Sequence, residues 1–373
     1  MRIVVTGAAG LLGTHAAIRL HALNCAARFR GEREPFDLVR LDRAGFGDPD
    51  RLAGAVAGAA AVLHFAGVNR GPDAGVETAN PAIAEALAAA CRTAGAAPHV
   101  VYANSIHAGG ATAYGRSKAQ AGAILAAIGG PYTDLVLPHV FGEGARPHYN
   151  NVTATLIDRL LAGETPEVNR QGRVALLHAG AAADAAIAAA RDGVTGEVRP
   201  EPRPMSVPDL LEKLRSFHAL DGADIYPDLS DPFDAALYNT YRAATYPGRW
   251  PRALRLNSDR RGRLFEAARG GGGGQTFVSA TEPGVTRGDH FHLAKVERFL
   301  VLAGEAVVRM RKALGHEVWQ WRVSGDAPAA LDMPTLHSHS IENVGPGPLL
   351  TLFWTSEIFD ASRPDTYADP VLQ

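Results

Sequence analysis

The sequence predicts two folds in series: an α/β domain built on a doubly wound parallel sheet, then an all-β domain. Three observations carry this. The chain opens with an apolar run from Arg2 to Thr6, a glycine turn from Gly7 to Gly13, and a helical pattern that continues to Leu23. After Arg255 the texture changes, and strand-length apolar runs alternate with polar turns. The length, 373 residues, is enough for two separate cores.

The first half is a series of strand-helix units. Strand, glycine turn and helix is the context that gives the Gly7, Gly10 and Gly13 spacing a meaning. Gly7 permits a tight turn, Gly10 lets the backbone approach a pyrophosphate, and Gly13 lets the helix lie on the strand. The N–H groups at Leu11 and Leu12 then face the phosphates. A second strand, Phe36 to Leu41, ends at Asp42-Arg43. An acidic residue there suits a ribose hydroxyl and a basic one a 2′-phosphate, so Arg43 favours NADPH while Asp42 leaves NADH open. Asp48 is placed either at the adenine amino group or as the cap of the helix around Leu52 to Val56. A third strand, Ala60 to Phe65, ends on Phe65, Ala66 and Gly67, where the backbone can pass close to the nicotinamide ribose. Asn80 is expected to open the following helix.

A fourth strand, Val100 to Ala103, runs into Ser105, and Tyr114 and Lys118 follow four residues apart on one helical face. The lysine can bind the nicotinamide ribose and lower the tyrosine pKa, so that the phenol exchanges a proton with a carbonyl or alcohol. Ser105 can hydrogen-bond the same oxygen. Further on, Arg146 is a candidate diphosphate ligand ahead of a helix from Val152 to Ala162. Glu197 to Pro208 reads as a proline-rich loop and Asp209 to Ala219 as a helix. The boundary falls within 243–256, giving domains 1–245 and 246–373.

In the second half, His290, His292 and Glu297 stand close together and His339 returns after a further hairpin. On a strand, residues two apart share a face, so His290 and His292 point together. Imidazoles and a carboxylate on one interior face suit zinc or another divalent transition metal. Gly270 to Gly274 reads as a flexible loop tip.

Composition sets limits. A net charge of −2 and a pI near 6.7 argue against a nucleic-acid partner. No apolar run reaches bilayer-spanning length. Met1 to Val5 enters a strand directly and does not resemble a signal peptide, so the protein is expected to be cytoplasmic. Cys25 and Cys91 are the two cysteines, which excludes a disulfide framework.

Together, Gly7/Gly10/Gly13, His64 to Gly67, Asn80, Ser105 and Tyr114 to Lys118 resemble the extended short-chain dehydrogenase/reductases. That resemblance implies a Rossmann-like fold, a nucleotide-sugar substrate, and Ser105, Tyr114 and Lys118 as the catalytic set. Pro138 to Gly142 resembles the family's sugar-nucleotide segment, with His139 where asparagine is usual. The spacing of Gly284, His290, His292, Glu297 and Gly304, then Pro334, His339 and Asn343, resembles the cupins, small jelly rolls. Leu336 stands where the second motif usually has glycine. The cupin resemblance implies His290, His292, Glu297 and His339 as metal ligands.

The whole chain resembles the CapF family of bifunctional capsular polysaccharide synthesis enzymes. The resemblance extends to Phe65 to Arg70, Pro147 to Asn150, Asn257 to Gly262, Val323 to Asp326 and Arg363 to Tyr367. It implies a homodimer with zinc. It also implies C3 epimerisation of a UDP-2-acetamido-2,6-dideoxy-4-hexulose in the cupin, then NADPH-dependent C4 reduction, toward UDP-N-acetyl-L-fucosamine. His337 and Lys295 are candidates for the C3 proton-transfer group. Three alternatives stay open: the same reactions on another nucleotide-linked 4-keto sugar, a reductase with a structural cupin, and a non-enzymatic sugar-nucleotide sensor.

Overall fold

The computed structural model describes residues 1–260, 262–270 and 272–373. Arg261 of the Asn257 to Gly262 motif and Gly271 of the glycine run lie outside the described residues. The chain forms two compact units, one of Met1–Leu156 and Glu167–Leu210, the other of Ile157–Pro166 and Leu211–Gln373. No helix among the described residues is long and apolar enough to cross a membrane.

In the first unit a six-stranded sheet runs Asp37–Leu41, Arg2–Thr6, Ala61–His64, His99–Ser105, Tyr132–Leu137, Gly196–Val198. All five pairings are parallel. Strand alternation sends successive side chains to opposite faces, and both faces are covered. Ile3 and Val5 face a core made with Ala16 and Leu20 of helix Leu11–Phe29 and with Ala182, Ala186 and Ile187 of helix Ala179–Asp192. Val4 faces the opposite core, with Leu52, Leu87 and Leu125. The second strand pairs on one side of the first and the third on the other, so the strand order reverses there. Such a switch point opens a crevice at the carboxyl ends of the strands.

The region Glu197 to Pro208 departs from the loop expected. It holds strands Gly196–Val198 and Arg203–Ser206, and helix Val207–Gly222 begins before its end. Pro204 is tolerated because its strand is the edge of a small sheet with His139–Phe141 and Arg173–His178.

The second unit is the all-β fold expected, with helical segments added. One antiparallel sheet runs Arg252–Ala253, Ala329–Met333, Glu297–Ala303, Leu349–Thr355, Gln275–Thr281. The other runs Val318–Ser324, Glu305–Lys312, His337–Asn343, Thr286–Phe291, Tyr367–Ala368. Phe299, Leu331 and Phe353 of one meet Val308, Met310 and Ile341 of the other in a shared core. The segment from Leu211 to residue 245, placed by the sequence reading in the first domain, belongs to this unit. The buried Arg298 guanidinium shows why: it pairs with Asp332 at 2.6 Å and Asp224 at 2.8 Å and lies 4.9 Å from the Tyr226 ring centroid. Asp224 and Tyr226 come from the helical segment and Asp332 from the sheet, so a buried charge network joins the two.

Candidate functional site

The first unit presents its crevice around the glycine turn. Gly7 has φ 63°, and a Cβ there would lie 2.8 Å from Ala66 N, so only glycine fits against the Phe65–Ala66 backbone. A Cβ on Gly13 would lie 2.2 Å from the Gly7 carbonyl oxygen. Helix Leu11–Phe29 starts after Gly10 with no side-chain cap, which leaves the first-turn N–H groups at Leu11 and Leu12 for a ligand. Asp42 accepts from Gly45 N at 2.8 Å and thereby starts a short helix that carries Arg43 at an exposed position. Asp48 caps helix Pro49–Val56, accepting from the N–H groups of Asp50 and Arg51, both at 3.1 Å. Asn80 is not a helix opener. It is buried within helix Asp73–Ala94, accepts from Val68 N at 2.8 Å, and donates to Val68 O and Ser117 Oγ at 2.9 Å each. It therefore pins the loop after Gly67 to the helix that bears Tyr114.

Ser105 ends the buried strand His99–Ser105 and hydrogen-bonds the Tyr114 phenol. Helix Ala113–Ala126 carries both Tyr114 and Lys118, and its cap, Thr112, accepts from Gly115 N. Burial raises the Tyr114 pKa and the Ser105 hydrogen bond opposes it. Lys118 does not produce the lowering expected of it. Its ammonium donates to Ala103 O at 2.5 Å and sits 3.9 Å over the Tyr102 ring, and burial pushes its pKa down to about 7.

His139 is half-buried, and its Nε2 is enclosed with no hydrogen-bond partner among the described residues. Arg146 is exposed. Asn150, at φ 51°, donates to Asn69 O at 2.8 Å, which ties its loop to the one after Gly67. His15, Glu143 and His178 also converge. Glu143 accepts from His178 Nε2 at 2.8 Å; His15 Nε2 meets the Glu143 carbonyl at 3.0 Å and its Nδ1 faces Arg19 at 3.5 Å. Both ring nitrogens of His15 are thus engaged, and the group reads as a buried charge network.

In the second unit His290, His292, Glu297 and His339 come together, with one ligand atom from each within 4.8 Å of the others. His292 Nε2 and His339 Nε2 lie 3.0 Å and 3.2 Å from Glu297 Oε2. The other nitrogen of each ring faces a carbonyl: His292 Nδ1 donates to Asp365 O, and His339 Nδ1 to His337 O at 3.1 Å. Those bonds fix the tautomers that leave Nε2 as a donor atom, the arrangement that metal-binding histidines use. His290 reaches the group through a bulge after Gly288, where Asp289 has φ 55°. Burial lowers the His290 pKa to about 3, with His339 and His292 adding to it. Burial pushes Glu297 upward, but hydrogen bonds from His292 and His339 outweigh it and hold the carboxyl well below its ordinary range. Three imidazoles and one carboxylate fit a divalent transition metal in number, chemistry and orientation.

Two further residues matter here. Lys295 donates to Pro364 O at 2.8 Å. Asp365, which the sequence reading left without a role, accepts from the N–H groups of Leu293, Ala294 and Lys295 at 2.9, 2.9 and 2.8 Å. The signal for it was the Arg363 to Tyr367 motif.

Residues 3–199 match the model of the NAD dependent epimerase/dehydratase family, and residues 257–367 match the polysaccharide biosynthesis C-terminal domain. The UDP-2-acetamido-2,6-beta-L-arabino-hexul-4-ose reductase of Pseudomonas aeruginosa is 29% identical over 380 residues, covering 99% of this chain and 98% of that protein. The crystal structure of the capsular polysaccharide assembling protein CapF from Staphylococcus aureus aligns over 100% of both chains, with 26% identity and a TM-score of 0.56. A UDP-N-acetylglucosamine 4-epimerase from Methanobrevibacter ruminantium covers 65% of this chain and 97% of its own, at 18% identity and a TM-score of 0.52, a likeness of fold alone.

Proposed function

The chain belongs to the NAD dependent epimerase/dehydratase family, and on that premise we propose that it is a bifunctional enzyme of UDP-sugar synthesis. The second unit, a cupin, epimerises C3 of a UDP-2-acetamido-2,6-dideoxy-4-hexulose. The first unit then reduces the C4 ketone with NADPH, toward UDP-N-acetyl-L-fucosamine. One observation carries this reading: a single chain holds both the Ser105–Tyr114 pair and the four-residue His/Glu centre, and it matches CapF from end to end. The name of the Pseudomonas relative supports the 4-keto UDP-sugar as substrate.

The chemistry follows from the residues. A C4 ketone acidifies the proton on C3. His290, His292, Glu297 and His339 would hold a divalent cation such as zinc, which supplies Lewis acidity toward the ketone oxygen. A pocket base takes the proton from C3, and a proton drawn from solvent is added on the opposite face. We assign that base to His337, whose Nδ1 donates to Thr335 O at 2.8 Å and so leaves Nε2 as the basic nitrogen.

In the first unit the Gly7–Gly13 turn receives the dinucleotide and Arg43 the 2′-phosphate. NADPH, when bound, supplies the hydride for C4. The Tyr114 phenol gives its proton to the oxygen that develops charge, and Ser105 holds that oxygen in place. Lys118 binds the nicotinamide ribose, and His139, Arg146 and Asn150 take the sugar nucleotide. A homodimeric assembly is part of the proposal.

NADPH oxidation with UDP- and dTDP-linked 4-keto sugars, with product stereochemistry by NMR, tests the reading. It predicts turnover of the UDP-2-acetamido-4-hexulose to a product inverted at C3. Turnover with retained C3 configuration would reduce the protein to a plain reductase.

A further inference from the structure

The interior face of the second unit carries more than the His/Glu centre. In the register of its second sheet, His290 pairs with His339, His339 with Met310, and Met310 with Trp319. Directly paired residues share a face, so these four side chains form one row across four strands. The neighbouring rows place Lys312 against His337 and Trp321 against Val308. Tyr246 closes on this wall. Its ring centroid lies 4.9 Å from that of His337, 5.3 Å from Trp319 and 6.3 Å from Trp250.

Three polar groups in this aromatic patch are unaccounted for. The Tyr246 hydroxyl and Trp250 Nε1 are shut off from solvent and have no hydrogen-bond partner among the described residues. Buried donors are rarely left in that condition. The third is the Lys312 ammonium, half-buried, with no ion pair to it among the described residues. Burial alone pushes its pKa down, and no neighbouring carboxylate opposes this. A cation in that position asks for an anionic ligand.

We propose that Tyr246, Trp250, Trp319 and Trp321 with Lys312 form a nucleoside-diphosphate subsite beside the His/Glu centre. The base lies against the aromatic side chains, and its carbonyl oxygens accept from the Tyr246 hydroxyl and Trp250 Nε1. Lys312 takes the diphosphate. The strand order supports that sequence of contacts. Lys312 lies on the strand between the one bearing His339 and the one bearing Trp319. Sugar, diphosphate and base then follow the same direction as His339, Lys312 and Trp319. This inference rests on the proposed function, in which the second unit receives a sugar nucleotide.

The tryptophans give a local readout. All four in the chain, Trp250, Trp319, Trp321 and Trp354, belong to the second unit. UDP is titrated into the full-length, metal-loaded protein while tryptophan emission is followed. Saturable quenching is expected. Lys312→Met should weaken UDP about tenfold, the loss of one charge-assisted contact, and raise KM for C3 exchange by a similar factor. Lys312→Arg should retain binding, which separates loss of charge from misfolding. Absence of saturable quenching, or equal UDP affinity in wild type and a folded Lys312→Met, overturns the subsite. UDP quenching without C3 exchange would instead keep the subsite and sink the epimerase reading.

Discussion

Asp365 joins two parts of the candidate metal centre through one residue. Its carboxylate gathers the N–H groups of Leu293, Ala294 and Lys295, and its carbonyl fixes the tautomer of His292. Removing the carboxylate frees the loop that follows His292. Asp365→Ala should therefore lower affinity for zinc by about 10–100-fold, the usual cost of losing such a supporting partner. Competition with a chromophoric chelator measures this directly, and unchanged affinity would show that the loop holds itself. The four ligand-type residues were legible in the sequence because three sit within one strand-loop-strand stretch, where spacing fixes which side chains share a face. Asp365 was not, since it acts on His292 from 73 residues away. The contact that the Lys118 ammonium makes with Ala103 was hidden for a related reason. Helical spacing puts it beside Tyr114, but buried acceptors such as Ala103 O decide where a long flexible side chain points.

At the scale of elements, the glycine turn makes the sharpest demand. A methyl group at position 13 would lie 2.2 Å from the Gly7 carbonyl oxygen, so helix Leu11–Phe29 would have to lift from its strand. Gly13→Ala is expected to cost about 1–3 kcal/mol, as overpacking does, and to weaken NADPH binding. Gly54→Ala, within helix Pro49–Val56 and facing open space, should instead stabilise by about 0.5–1 kcal/mol. Thermal melts of the two variants in opposite directions would bear this out; a stable Gly13→Ala with normal NADPH affinity would not. Elements with a strong period were readable, as Ile3, Val4 and Val5 illustrate by facing alternate cores. Short edge strands were not. Pro204 suggested a loop, and only its place at a sheet edge makes a strand there acceptable. Asn80 looked like a cap because polar residues favour helix ends, whereas its role is to satisfy the Val68 backbone from inside a helix. Leu336 takes φ 64°, a left-handed conformation that suits glycine, so the turn keeps its shape at some backbone cost.

For the whole molecule, acid should destabilise the first unit. Burial keeps His15 neutral, with its pKa lowered from 6.5 to about 3. The unfolded chain therefore binds a proton below pH 6.5 that the folded chain refuses until about 3, and stability falls as pH drops through that window. Glu143 adds the same sign. Burial pushes its carboxyl up, but His178, by charge and hydrogen bond, holds it well below the ordinary glutamate value of 4.5. Its stabilisation is present above that value and is lost as pH falls toward the folded pKa. Urea midpoints at pH 7 and pH 5 should differ, with a smaller difference in a folded His15→Asn variant; an equal difference would remove His15 from the account. The division of the molecule was the least legible feature. Composition suggested a boundary near residue 245, but Arg298, Asp332 and Asp224 bind the preceding helical segment to the sheets. Long-range ion pairs of this kind leave no periodic trace.

In the proposed function, C3 epimerisation and C4 reduction use different units of one chain. The most direct measurement is deuterium uptake at C3 of the UDP-linked 4-keto sugar in D2O without NADPH, followed by NMR. We predict uptake by the metal-loaded wild type, its loss on chelation, and full uptake by Tyr114→Phe, which no longer oxidises NADPH. No uptake by the metal-loaded wild type, or uptake abolished in a folded Tyr114→Phe, would contradict it.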